Sequence, residues 1–106
     1  MEFKTTKDFD RETRRLYRKY PSIIADIRQL KNDLIENPYL GTPLGNNCYK
    51  IRMAIRSKGK GKSGGGRVIT CVKIMDEVIH LLTIYDKSDI ENISDEYLDD
   101  LRNSVE

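Results

Sequence analysis

Between Tyr49 and Lys73 the chain reads YKIRMAIRSKGKGKSGGGRVITCVK, a stretch that few folds can accommodate. Apolar Tyr49, Ile51, Met53 and Ile55 alternate with Lys50, Arg52, Ala54 and Arg56. That period of two gives a strand one apolar face and one basic face. The run from Arg67 to Met75 is apolar at nearly every position, as a central strand would be. A glycine- and lysine-rich loop joins the two, which predicts a hairpin. After a turn at Asp76 and Glu77, Val78 to Tyr85 is again almost uniformly apolar. Three consecutive strands with short connections predict an antiparallel meander.

The same stretch polarises the charge. It holds eight basic residues and no acidic one, whereas the other 81 residues hold eleven basic and seventeen acidic, so a net charge of +2 hides a focused positive surface. Such a surface suits a phosphate-rich partner.

The remaining segments supply what a meander needs to cover it. Phe3 suits a short opening strand, and Thr5 or Thr6 can cap a helix running from Lys7 to Lys19. On that helix Phe9, Leu16, Tyr17 and Tyr20 share one face and Arg11, Arg14, Arg15 and Arg18 the other, with the tyrosines read as packing residues. Pro21 breaks it, Ser22 is placed to cap a second helix, and Ile23, Ile24, Ile27, Leu30, Leu34 and Ile35 mark that helix's apolar face up to Asn37 and Pro38. Tyr39 to Asn47 reads as a turn-rich connector. The tail from Asp86 is acidic; Ser88 and Glu91 have capping-box spacing, and Ser94 suits the cap of a last helix with Leu98, Leu101 and Val105 inward. The expectation is an α+β single domain over residues 1–106, in the order β-α-α-β-β-β-α, whose meander sheet packs on a helical hairpin around one core.

Several function classes are excluded. No apolar run approaches the roughly 20 residues that span a bilayer, and the charged N-terminal stretch is unlike a signal peptide, so no membrane is expected and the compartment expected is the cytoplasm. Cys48 and Cys71 lack metal-ligand spacing and His80 is the single histidine, so no metal and no cofactor are expected. His80 lies within an apolar strand and reads as a packed or edge residue. Gly61-Lys62-Ser63 has the look of a phosphate-binding P-loop, but Arg56 stands where its first glycine belongs and a strand rather than a helix follows. Nucleotide binding is therefore rejected.

Three segments together resemble the RelE/ParE superfamily of toxin–antitoxin toxins, and within it the RelE and HigB-like branch. They are Tyr49-Lys50-Ile51-Arg52, the loop GKGKSGGGRVI, and the run Leu81-Leu82-Thr83-Ile84-Tyr85-Asp86-Lys87-Ser88; the glycine connector PYLGTPLGNNCYKIR also sits where that family has one. The resemblance implies a ribosome-dependent messenger RNA endonuclease, an mRNA interferase that inhibits translation. It implies metal-independent cleavage through the ribose 2′-hydroxyl and silencing by a cognate antitoxin, in many relatives of the helix-turn-helix type. Carried over by position, Lys50 would deprotonate the 2′-hydroxyl or stabilise its charge, Arg52 matches a second basic strand position, and Arg67 would stabilise the phosphorane-like transition state. Lys87 matches a basic residue after the last strand. The family's C-terminal tyrosine has no counterpart at Asn92-Ile93-Ser94, which leaves Tyr85 or the more distant Tyr97 as the acid. Arg56, Lys58, Lys60 and Lys62 would grip the RNA backbone. Arg67 is expected to be exposed. The rival readings are a ParE-like gyrase inhibitor and a catalytically degenerate module that only binds antitoxin or RNA.

Overall fold

The computed structural model describes residues 1–90 and 92–105. The expected elements form where their caps and periodicities put them. Strand β1 spans Glu2–Thr5, α1 Lys7–Lys19 and α2 Ile23–Glu36. Thr6 caps α1, its hydroxyl accepting the Phe9 N–H at 3.0 Å, and donates in turn to the Leu82 carbonyl at 2.6 Å, which ties the helix start to the sheet. Ser22 does not cap α2. Its hydroxyl donates to Asp26 at 2.7 Å and accepts the Ser57 N–H at 2.9 Å, so it links α2 to a distant loop instead.

The connector holds an additional short strand, β2, at Thr42–Gly45. It pairs antiparallel with the start of β3, Cys48–Met53, with Thr42 opposite Lys50. A strand containing Pro43 is legible in sequence only as a turn; it survives because it lies at the sheet edge, where a missing N–H costs nothing. A 3-10 turn at Arg56–Lys58 follows, then β4 at Gly66–Lys73 and β5 at Val78–Asp86. The sheet order is β1-β5-β4-β3-β2, with the meander antiparallel and β1 parallel to β5. Helix α3 spans Asp95–Asn103, capped by Ser94. The capping box of Ser88 with Glu91 lies outside the described residues. Among the described residues no helix is long and apolar enough to cross a membrane.

The sheet buries both faces, so there are two apolar clusters where the sequence suggested one. On one face the α1–α2 hairpin contributes Phe9, Leu16, Tyr20, Ile23, Ile27, Leu30 and Leu34 against Ile51, Met53, Val68, Val72 and Ile84. On the other, Leu98 and Leu101 of α3 cover Cys48, Ile69, Cys71, Leu82 and Tyr85. Periodicity overstated the hairpin's apolar face. Tyr17 is 53% exposed, and Ile24 and Ile35 also face outward, because each is adjacent in sequence to a buried residue and one helical turn cannot bury both. Helix α3 is fastened by one polar knot, in which the Tyr97 hydroxyl donates to the Asp8 carboxylate at 2.8 Å and Thr83 donates to the same group.

The loop before β4 packs closely against the end of β3 at Gly65. A Cβ there would lie 2.3 Å from the Met53 carbonyl oxygen and 3.0 Å from that of Gly61, both backbone atoms that cannot give way. Gly65→Ala is expected to cost about 1–3 kcal/mol, the range for an overpacked site, read from the denaturant midpoint.

Candidate active site

One hydrogen bond fixes the geometry of the basic hairpin. The Val72 N–H donates to the Asn47 carbonyl at 2.9 Å, so in the β3–β4 ladder positions 47 and 72 form a hydrogen-bonded pair. Pairing alternates along an antiparallel ladder, and Cys48 with Cys71, Lys50 with Ile69 and Arg52 with Arg67 are therefore non-hydrogen-bonded pairs. In such pairs the Cα atoms approach to about 4.5 Å and the side chains lie closest. Arg52 and Arg67 thus face each other directly, an arrangement of like charges that weakens a sheet. Tyr85 on β5 lies opposite Arg67 in the same row.

The structure shows what tolerates this repulsion. Arg67 is only 5% exposed, contrary to the expectation of an exposed strand start. Its Nη1 donates to the carbonyls of Lys62 and Gly66, each at 3.0 Å, and its Nη2 to that of Ser63 at 3.1 Å. The glycine loop folds back over the strand to supply these acceptors, a long-range consequence that strand periodicity does not reveal. Burial, and then the Arg52 charge, lower the proton affinity of Arg67, while the neighbouring Tyr85 ring raises it. The guanidinium is held in place by neutral acceptors and keeps its whole positive charge for an anion.

Lys50, Arg52, Arg67 and Lys87 converge, with Thr42 and Asn92, on one cleft of about 250 Å³. The structure thus brings together the three strand-borne cations read from the sequence and Lys87, which follows β5. Asn92 is a member that sequence reasoning missed; its Oδ1 accepts from Lys50 Nζ at 3.1 Å. Among the described residues the salt bridges engage Arg11, Arg15, Arg56, Lys58 and Arg102, and none engages a cation of the cleft. A wider groove of about 420 Å³ between α2 and the outer edge of β3 shares Lys50 and Arg52 with the cleft.

The loop cations divide. Arg56 reaches the buried Asp26 at 2.9 Å, its own N–H joining the same carboxylate. Lys58 is drawn inward rather than outward: its ammonium meets Asp86 at 2.6 Å and Ser88 at 2.7 Å. Asp86 also accepts from the Tyr20 hydroxyl at 2.6 Å and the Ser88 N–H at 2.9 Å. Burial pushes the pKa of this carboxyl up, but the bonds from Lys58, Tyr20 and Ser88 outweigh it and hold the pKa at about 2. Two ion pairs thus anchor the first half of the loop, and Lys60 and Lys62 remain exposed at its tip.

The phenols and the histidine lie elsewhere. Tyr85 is buried beneath α3, does not line the cleft, and its hydroxyl has no hydrogen-bond partner among the described residues. Burial raises its pKa, with Arg67 opposing. Tyr97 is committed to Asp8. His80 borders a separate cavity with Lys4, Asp8 and Tyr97, and burial followed by Lys73 and Lys4 lowers its pKa.

A family model for the RelE toxin of the RelE / RelB toxin–antitoxin system matches residues 1–105. The chain belongs to the RelE toxin family. Among solved structures it is similar to the E. coli toxin RelE, in a free-state mutant with two arginines replaced by alanine. The identity is 14%, the TM-score 0.65, and the match covers 99% of this chain and 97% of that one. At that identity the likeness is one of fold. A RelE-family toxin implies an antitoxin partner.

Proposed function

We propose that this RelE-family toxin is a ribosome-dependent messenger RNA endonuclease acting in the cytoplasm. The observation that carries the reading is the cleft in which Lys50, Arg52, Arg67 and Lys87 converge with no carboxylate among its lining residues. Cleavage through the 2′-hydroxyl moves that oxygen onto the adjacent phosphorus as the 5′-oxygen leaves, giving a cyclic phosphate and a free 5′-hydroxyl. Negative charge builds on the non-bridging oxygens, and fixed cations stabilise it at no cost in reorganisation.

Each role follows from position. Lys50, oriented by Asn92, takes the 2′-proton. Arg67, fixed by three carbonyls, and Arg52 opposite it clamp the non-bridging oxygens. Lys87 carries an exposed ammonium at the cleft and protonates the leaving 5′-oxygen. Tyr85 flanks Arg67 from the neighbouring strand, and its phenol takes no part in proton transfer. Lys60 and Lys62 touch the RNA backbone, and exposed Arg56 extends that contact. The cations supply the charge stabilisation a metal would otherwise give, so toxin stripped of divalent metal beforehand is expected to cleave on magnesium-assembled ribosomes at an unchanged rate. Dependence on the ribosome is supported by what the cleft lacks. None of its six lining residues is aromatic and its volume fits little beyond a phosphate and its ribose. With no platform on which bases stack, the message must be presented by another body.

Primer extension on a defined message, with and without translating ribosomes, tests the proposal. New 5′ ends only with ribosomes are expected. Ends in both reactions would keep the nuclease and remove the ribosome, and ends in neither would return the gyrase-inhibitor and inert-module readings. Tyr85→Phe is expected to retain full cleavage and to gain about 1 kcal/mol of stability, because it removes a buried hydroxyl without a partner. A large loss of rate at unchanged stability would restore the phenol to the chemistry.

A further inference from the structure

Cys48 and Cys71, read from the sequence as isolated thiols, are directly opposite each other on β3 and β4. The Asn47–Val72 hydrogen bond makes theirs a non-hydrogen-bonded pair, the closer of the two kinds, with Cα atoms about 4.5 Å apart. That separation lies within the roughly 4.4–6.8 Å that a disulfide spans. Both side chains are on the same sheet face and both are buried, at 1% and 3% exposure. Both thiols donate to one carbonyl oxygen, that of Asn46, at 3.7 and 3.9 Å, which draws the two sulfurs toward the same point. No disulfide joins them in this structure.

We propose that Cys48 and Cys71 form an oxidation site, at which exchange with a small-molecule disulfide makes a cross-strand bond that staples the basic hairpin. The covalent ring so closed contains Lys50, Arg52, the glycine loop and Arg67, all the hairpin's share of the cleft. In the first step a cysteine thiolate attacks a glutathione disulfide and releases one glutathione thiolate, which takes up the proton the cysteine lost. In the second, the other cysteine attacks the protein-bound sulfur and expels the second glutathione. Two protein thiols are oxidised and one glutathione disulfide becomes two thiols. Reaction is slow in the closed fold, because Leu98 and Leu101 of α3 cover the pair. The bond to Cys71 and then burial raise the Cys48 pKa, which keeps the attacking thiolate scarce. Once a mixed disulfide forms, the proximity of the second thiol makes closure the faster step. This proposal stands independently of the nuclease reading.

The experiment incubates the whole wild-type protein, natively folded, with excess oxidised glutathione, then denatures it and alkylates with iodoacetamide. Expected are an intact mass lower by two hydrogens, no alkylation, and a cross-linked peptide joining Cys48 to Cys71. The thermal midpoint should rise by about 10 °C and return on adding dithiothreitol. Two alkylatable thiols after prolonged treatment would overturn the proposal. So would a product that stops at the glutathione adduct, since the second sulfur would then be out of reach. A cross-linked product with a lowered midpoint would overturn the staple, because the bond would be straining the sheet.

Discussion

Arg67→Ala is expected to slow single-turnover cleavage on ribosomes by about 100- to 1,000-fold, the loss that follows removal of one preorganised donor to a developing oxyanion. The effect has two sources that separate experimentally. One is the charge itself, which sits within a few ångströms of Arg52 and is held by the Lys62, Ser63 and Gly66 carbonyls rather than by an acid. The other is the loop, which loses the group its carbonyls converge on and with it the placement of Lys60 and Lys62. Arg67→Lys keeps the charge, but a single ammonium cannot reproduce two nitrogens bonding three carbonyls, so partial recovery is expected. Removal of this arginine strands no buried carboxylate, and the carbonyls of exposed Lys62 and Ser63 can turn to water, which leaves only that of Gly66 buried. The thermal midpoint should therefore fall only modestly. Global unfolding of Arg67→Ala would make the residue a structural pin and withdraw it from the chemistry.

Asp86→Asn is expected to destabilise the fold by about 3–5 kcal/mol, the cost of breaking a buried ion pair by removing one partner. Asp86 is fully buried, and its loss leaves the Lys58 ammonium, itself little exposed, without a counter-charge. The same group sets an acid limb of stability. Its folded pKa of about 2 lies below the ordinary 3.8, so its contribution is complete above pH 3.8 and is lost as the pH falls through 2. That difference corresponds to about 2 kcal/mol. It is smaller than the mutational cost because protonation is counted only between the two pKa values, whereas the substitution strands Lys58 at neutral pH. Denaturant melts from pH 7 down to pH 2 check both parts. A variant within 1 kcal/mol of wild type at pH 7 would show that water already solvates Lys58.

The elements of the hairpin and the meander were legible for reasons that are local. Thr6 and Ser94 cap the helices they precede because capping needs only a hydroxyl and the next turn's N–H groups. Lys50 and Arg52 share a face because side chains alternate along any strand. Lys87 joins them because β5 ends beside the start of β4, where Gly66 pairs with Asp86. Less legible was every feature that depends on which distant segment arrives. Lys58 looks like Lys60 and Lys62 in the sequence, and only the arrival of Asp86 and Tyr20 from two other elements turns it inward. Tyr17 and Tyr20 likewise both suit a packed helix face, yet one is exposed and the other bonds a buried carboxylate.

By itself the sequence determined the class of fold and the order of its main elements, and it singled out cations that line the cleft, because caps, periodicity and charge segregation act over a few residues. Only the tertiary structure decided that Arg67 is buried, that Arg52 is forced against it, that Asn92 reaches Lys50, and that two separate cysteines are neighbours. These follow from ladder register and from a loop folding back on its own strand. Register is set by the sum of packing on both sheet faces, and no local stretch of residues carries that sum.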